Sequence, residues 1–178
     1  MTHPFTLLSS SGEATRSLGE ALGRALEPGA VVLLDGDLGT GKTVLVRGAG
    51  GALGASGVRS PSFTLVNEYR TKGGLLLVHA DLYRLETEGV EALDLEDYLA
   101  PGDAALLVEW PERWAFPPED ALRLELRVPD EPGGEWLRRV TFRPGGPQAE
   151  GVAARVLAAV EAGDCPGVKR VMEAEDEC

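Results

Sequence analysis

Apolar positions in this chain recur with two periods, and the changes between them mark out its elements. Ala14, Leu18, Ala21, Leu22, Ala25 and Leu26 follow helical spacing behind Ser10-Ser11-Gly12-Glu13, where Ser10 and Glu13 stand at capping-box distance. Pro28-Gly29 ends that helix and leads into Ala30–Leu34, a continuous apolar run of the kind buried on both faces of a sheet. A second helix is expected from Lys42 to about Leu53. It contains Gly48, Gly50 and Gly51, each unfavourable by about 1 kcal/mol against alanine, so packing or a bound ligand must offset them. The segment Ser60–Tyr69 begins as a loop and becomes an alternating strand. Two further buried strands are Leu75–Val78, ending in His79-Ala80-Asp81, and Ala104–Val108, ending in Glu109-Trp110. Between them Glu88–Leu99 reads as a short acidic helix with Val90, Leu93 and Tyr98 inward. Leu122–Val128 and Trp136–Phe142 alternate on either side of a Pro/Gly turn, the pattern of an antiparallel hairpin. Val152, Ala153, Val156, Leu157 and Val160 mark a last helix. One α/β domain is expected over residues 1–163, with a poorly ordered charged tail over 164–178.

The turn between the first buried strand and the second helix carries the most specific chemistry. Gly36-Asp37-Leu38-Gly39-Thr40-Gly41-Lys42-Thr43 is a complete G-x-x-x-x-G-K-[ST] loop at a strand-to-helix junction. Its glycines let backbone N–H groups close round phosphates at the positive end of a helix. Lys42 can reach the β- and γ-phosphates, and the Thr43 hydroxyl can serve a magnesium ion. The fold class is therefore that of a P-loop NTPase: a mixed β-sheet flanked by helices, with the antiparallel hairpin in its C-terminal part.

Composition narrows the function. A formal net charge of −12 argues against a protein whose main task is to hold a nucleic-acid backbone, though it leaves room for a local basic patch. No direct DNA binding is expected. Two cysteines, Cys165 and Cys178, and two histidines, His3 and His79, give neither a disulfide framework nor a His/Cys metal cluster. With no secretory signal and no membrane-length apolar run, a soluble cytoplasmic protein is expected.

A phosphate loop needs an acidic partner at a neighbouring strand end. Asp81 and Glu109 both stand where apolar strand gives way to loop, at the carboxyl edge where open α/β sheets bind ligands. One can belong to a metal shell and the other can orient water; the residues alone do not order them. Asp81 also suits a turn cap, a role for which Glu109 is a poorer residue. Ser60, Ser62 and Thr64 place hydroxyls in a Pro-containing loop able to change order with a γ-phosphate. His79 reads as a packed or hydrogen-bonded strand-end residue. Arg123, Arg127, Arg138 and Arg139 of the hairpin read mostly as a solvated face, with one able to reach a nucleotide. No Asn/Thr-Lys-x-Asp guanine element is present, since Thr71-Lys72-Gly73-Gly74 lacks the aspartate, so ATP is favoured. An ATPase serving a partner complex, a small-molecule kinase and a nucleotide-switched assembly module all remain open. The kinase is hard to place, because Arg84 is the only basic residue between Asp81 and Glu109 available for a lid.

Four blocks together carry a resemblance: the phosphate loop, Ser60-Pro61-Ser62-Phe63-Thr64-Leu65-Val66, His79-Ala80-Asp81-Leu82-Tyr83-Arg84 and Val108-Glu109-Trp110. Over roughly residues 5–160 the sequence resembles the TsaE (YjeE) family, small P-loop ATPases of bacterial tRNA threonylcarbamoyladenosine synthesis. The resemblance implies ATP and Mg2+ as cofactors and the TsaB–TsaD pair, in which TsaD performs the transfer to tRNA, as partner; tRNA is then met indirectly, through the complex. It implies that Asp37, Leu38, Gly39, Thr40, Gly41 and Lys42 hold phosphate, that Thr43 and Glu109 hold the metal, and that Asp81 supports hydrolysis. It further implies a switch at Ser60, Ser62 and Thr64, and Ser11 near the base. Three positions depart from the family pattern. Ser62 stands where threonine is usual, and Ala80 where an aromatic is common. Glu135 occupies the place of the family's nucleotide-contacting arginine in the late hairpin, with Arg138 or Arg139 substituting for it.

Overall fold

The computed structural model describes residues 3–61, 64–130 and 133–171. Its strands are β1 (Phe5–Ser9), β2 (Val31–Asp35), β3 (Val66–Arg70), β4 (Leu76–Asp81), β5 (Ala104–Glu109), β6 (Leu122–Arg127), β7 (Arg138–Pro144) and β8 (Val168–Val171). Its helices are α1 (Gly12–Ala25), α2 (Lys42–Ala52), α3 (Thr87–Glu91) and α4 (Pro147–Glu161). The strands form one sheet in the order β3-β4-β5-β2-β6-β7-β1-β8. The four central strands, β4, β5, β2 and β6, run parallel. β3 at one side and β7, β1 and β8 at the other are antiparallel to their neighbours.

The two faces of this sheet are covered differently. On one face Leu7, Val32, Leu34, Leu107, Leu124, Leu126, Val140 and Phe142 pack with α1, α2 and α4 in the main core. On the other, a smaller core joins Val31, Leu33, Val78, Ala80, Leu106 and Val108 to Val90, Leu95 and Trp114, from α3 and the short turns near it. That second cover lies over β2 to β5, where runs such as Val31–Leu34 are apolar at every position because both faces are buried. β6 and β7 alternate, burying one face only.

Three expectations are corrected, and one strand is added. The N-cap of α1 is Ser11, whose hydroxyl accepts from the Ala14 N–H at 3.0 Å; Ser10 sits one residue too early. The acidic segment 88–99 does not form one helix: α3 ends at Glu91, and Asp94 with φ 45 turns the chain into a separate 3-10 turn, Leu95–Tyr98. Phe5–Ser9 was too short and too near the terminus to stand out, yet it is a buried inner strand. Residues 164–171 are not part of a disordered tail. Cys165 is buried in the main core, and Val168–Val171 adds β8 to the exposed edge of β1. The physical reason is that β1 would otherwise present unpaired backbone groups at the sheet edge.

Candidate functional site

Strand order brings the chemical residues together. β2 feeds the phosphate loop, β5 beside it ends in Glu109, and β4 beside β5 ends in Asp81, which lies opposite Glu109 in the ladder. All three parallel strands end at the same edge, the place where α/β sheets take ligands. Around this edge lies a cavity of ≈ 390 Å³, walled by Leu38, Lys42, Thr43, Ser60, Asp81 and Glu109, with Leu65, Tyr83, Arg84 and Trp110 among the others.

The loop is held open by backbone geometry. Gly41, the N-cap of α2, has φ 101, a left-handed conformation that side chains resist. Its α-carbon faces Thr15 of α1, whose Cγ2 lies 3.4 Å from where a Cβ would stand. Thr40 turns its hydroxyl onto the Asp37 carbonyl at 2.9 Å. Lys42 is buried, and its ammonium donates to the Gly36 carbonyl and to the Asp37 carbonyl at 2.9 Å. It also sits 4.3 Å from the centre of the Trp110 ring. Burial lowers the Lys42 pKa, and the carboxylates of Glu109 and Asp81 oppose that shift. Trp110 reaches the lysine because its backbone takes a left-handed turn, φ 60, directly after β5; Tyr83 packs against the ring at 4.7 Å.

Glu109 is a buried carboxylate with two partners on one oxygen. The Thr43 hydroxyl donates to Oε1 at 3.0 Å, and His79 Nε2 lies 2.9 Å from the same atom. Asp81 is less enclosed. Its Oδ1 accepts the Tyr83 N–H at 3.1 Å, so it does cap the following turn, while Oδ2 accepts the Ser60 hydroxyl at 3.2 Å. A carboxylate and a hydroxyl side by side at a phosphate loop form a hard, oxygen-only donor set, the kind suited to Mg2+. Among the described residues no group of three or more His, Cys, Asp and Glu gathers into a metal cage. A cation here would therefore depend on substrate oxygens and water for the rest of its shell.

The expected residues are placed as follows. Leu38, Gly39, Gly41, Lys42, Thr43, Ser60, Asp81 and Glu109 meet at the cavity, while Asp37 and Thr40 do not line it and shape the loop through the Asp37 carbonyl, which accepts from Thr40 and Lys42. Thr64 lies on the same loop as Ser60, but its hydroxyl donates to Asn67 Oδ1 at 2.7 Å and does not line the cavity. Ser62 lies outside the described residues. Ser11 caps α1, the helix that packs Thr15 against Gly41. Arg138 lies over the loop, donating to the Gly39 carbonyl at 3.3 Å and to the Glu135 carbonyl at 2.8 Å. Arg139, the alternative for its role, belongs to the opposite face of β7, because neighbouring strand residues alternate. Sequence reasoning did not place Thr15, Leu65 or Tyr83 at the site. The adjacency of Tyr83 to Asp81 was the one available signal.

Comparison with known proteins identifies the family. A family model described as "Threonylcarbamoyl adenosine biosynthesis protein TsaE" matches residues 9–135. A Nostoc protein named tRNA threonylcarbamoyladenosine biosynthesis protein TsaE is 46% identical over 125 residues, covering 67% of this chain and 75% of the relative. An Aquifex aeolicus protein of the same name is 41% identical over 128 residues, covering 70% and 88%. The crystal structure of Bacillus subtilis YdiB superposes with a TM-score of 0.70 at 27% identity, covering 90% of this chain and 98% of that one. With its phosphate loop, its paired strand-end carboxylates and a family match over most of its length, this chain belongs to the TsaE family.

Proposed function

We propose that this chain is a Mg2+-dependent ATP hydrolase acting in the synthesis of tRNA threonylcarbamoyladenosine, the process for which its relatives are named. The observation that carries this reading is the 3.0 Å contact between the Thr43 hydroxyl and the Glu109 carboxylate, directly beside Lys42. A loop that only bound phosphate would need no buried carboxylate on its threonine; a loop that organises a cation for hydrolysis does.

In this reading the N–H groups of residues 38 to 43 cradle the phosphates, and Lys42 exchanges its carbonyl partners for phosphate oxygens. Thr43 and Glu109 would hold Mg2+, which would supply positive charge against the charge that develops on the phosphates. Asp81 orients the attacking water. Its contact with Ser60 ties that hydroxyl to the same role, so the start of the switch segment can respond to the γ-phosphate. Arg138, fixed to the carbonyls of Glu135 and Leu137, stands over the loop to meet the nucleotide, and Ser11 lies toward the base. Hydrolysis serves a TsaB–TsaD pair, in which TsaD performs the transfer itself.

Reconstitution tests this. With TsaB, TsaD and cognate tRNA, addition of this chain and Mg-ATP is expected to convert a single round of modification into repeated rounds. K42A and E109A should each abolish that gain. Repeated rounds in the absence of this chain, or with K42A, would overturn the reading.

A further inference from the structure

The sheet leaves half of one face uncovered, and that half is basic. α3 and its neighbouring turns cover the strands β2 to β5 only, so most residues of β6, β7, β1 and β8 that point the same way are exposed or half-buried; Thr6, bonded to Thr141, is the buried exception. Ladder register identifies them. Arg127 lies opposite Arg139, Arg139 opposite Leu8, and Leu8 opposite Lys169, which makes one row across four strands. A second row pairs Arg123 with Arg143. Between them stand Glu125, Thr141, Thr6 and Val171. Among the described residues this face thus gathers five of the chain's 17 Lys and Arg but only Asp35 and Glu125 of its 29 Asp and Glu. In a chain of net charge −12 that is a reversal of sign confined to one surface.

The arrangement is not what a merely solvated face requires. Two like-charged pairs stand directly opposite each other across β6 and β7, a placement that disfavours the sheet. Asp35 and Glu125 relieve the inner part, lying 3.5 Å from Arg123, 3.0 Å from Arg127 and 3.7 Å from Arg143. Arg139 and Lys169 stand farther out, both exposed, on the side away from those carboxylates.

We infer that this open face binds the phosphate backbone of RNA. With strands about 4.8 Å apart, the row from Arg127 to Lys169 spans about 14 Å, enough to meet several phosphates. No aromatic side chain belongs to these rows, so the surface lacks a stacking platform and reads charge, not base sequence. A protein partner fits less well, because a stable protein interface has an apolar core, and this face offers only Leu8 and Val171, both half-buried. The relatives are named for a reaction on tRNA, which supplies an RNA of the right class. Lys169, Arg139 and Arg143 lie beyond residues 9–135 that the family model matches, whereas Arg123 and Arg127 lie within them. It needs neither ATP nor the hydrolysis site.

The test uses the full chain with fluorescently labelled tRNA, read by anisotropy across a KCl series without nucleotide. For three to five phosphate contacts the slope of log K against log salt is expected between about −2 and −4.5. R139E/K169E should weaken binding at least tenfold and flatten the slope, while R139K/K169R retains both. K169E alone, on the edge strand, should weaken binding severalfold with ATP affinity unchanged, which separates this surface from the nucleotide site. Absence of salt-dependent binding by the wild-type chain would overturn the inference. So would wild-type affinity in a folded R139E/K169E protein. Competition by poly-glutamate as effective as that by unlabelled tRNA would also overturn it, and would assign the face to an acidic protein.

Discussion

His79 and Glu109 are joined inside the sheet: His79 Nε2 lies 2.9 Å from Glu109 Oε1, and the imidazole is fully buried. A carboxylate only accepts, so Nε2 carries the proton in this contact and Nδ1 is the bare nitrogen. Nδ1 has no partner among the described residues, which fits a lone pair better than an N–H, whose burial without an acceptor is the costlier case. His79 therefore fixes the carboxylate that also receives Thr43. Replacing it with phenylalanine removes that donor. Supporting groups of this kind are worth about 10- to 100-fold in metal affinity or activity. H79F should raise the Mg2+ concentration needed for half-maximal ATPase activity by about tenfold or more, with ATP affinity in the absence of Mg2+ little changed. An unaltered Mg2+ titration would show that Glu109 is held without His79.

The phosphate loop is positioned by unusually close helix packing. A Cβ built on Gly19 or Gly23 of α1 would enter the carbonyls of Leu45 or Ala49 of α2, and one on Gly48 would enter that of Arg16. The opposing atoms are backbone, so they cannot swing aside. G19A gains about 1 kcal/mol of helix propensity but incurs overpacking of about 1–3 kcal/mol or more, and the second effect wins. G19A should lower the thermal midpoint and weaken ATP binding, because α2 begins at Lys42. Gly51 in the same helix has nothing within 4 Å of a built Cβ and no positive φ, so G51A should stabilise by about 0.5–1 kcal/mol. Calorimetry of the two variants must give shifts of opposite sign.

These glycines show where the sequence was legible and where it was not. The phosphate loop, Asp81 and Glu109 could be read because motif spacing and strand ends are local properties. Gly48 of α2 looked only like a propensity deficit, because its reason lies on α1, more than twenty residues away; Gly50 instead makes room for Val58. Ser10 and Ser11 both suit a cap, and only the helix register selects Ser11. Arg138 and Arg139 could not be separated until β7 was known to pair with β1, which decides which of them faces the loop. β8 was hidden because four residues with two charges carry no periodic signal; the edge of β1 makes them a strand.

That last strand makes a prediction of its own. A chain ending at Gly163 would lose every backbone pair between β1 and β8 and expose the edge of β1. It would also remove Cys165 from the main core. The truncated protein should show a lower thermal midpoint and concentration-dependent association in light scattering, since an open edge strand pairs with other chains. A midpoint equal to that of the full chain would mean that β8 adds no stability.

Cys165 gives a pH dependence with a definite sign. Burial raises its pKa above the ordinary thiol value, with Arg24 opposing in part and Asp164 reinforcing. A thiol whose pKa is higher when folded than when unfolded leaves stability intact below the unfolded value. As pH rises past that value the unfolded chain releases the proton first, so stability falls until the folded pKa is passed. In a chain carrying C178S, so that Cys165 is the one thiol left, the denaturation midpoint should drop as pH rises above about 8.5 more steeply than in C165A/C178S. Alkylation by iodoacetamide at pH 8 should be slow in the folded C178S protein and fast after unfolding, because the thiolate is the nucleophile and this thiol is both protonated and covered. Equal alkylation rates in the folded and unfolded states would place Cys165 at the surface and remove β8 from its position against β1.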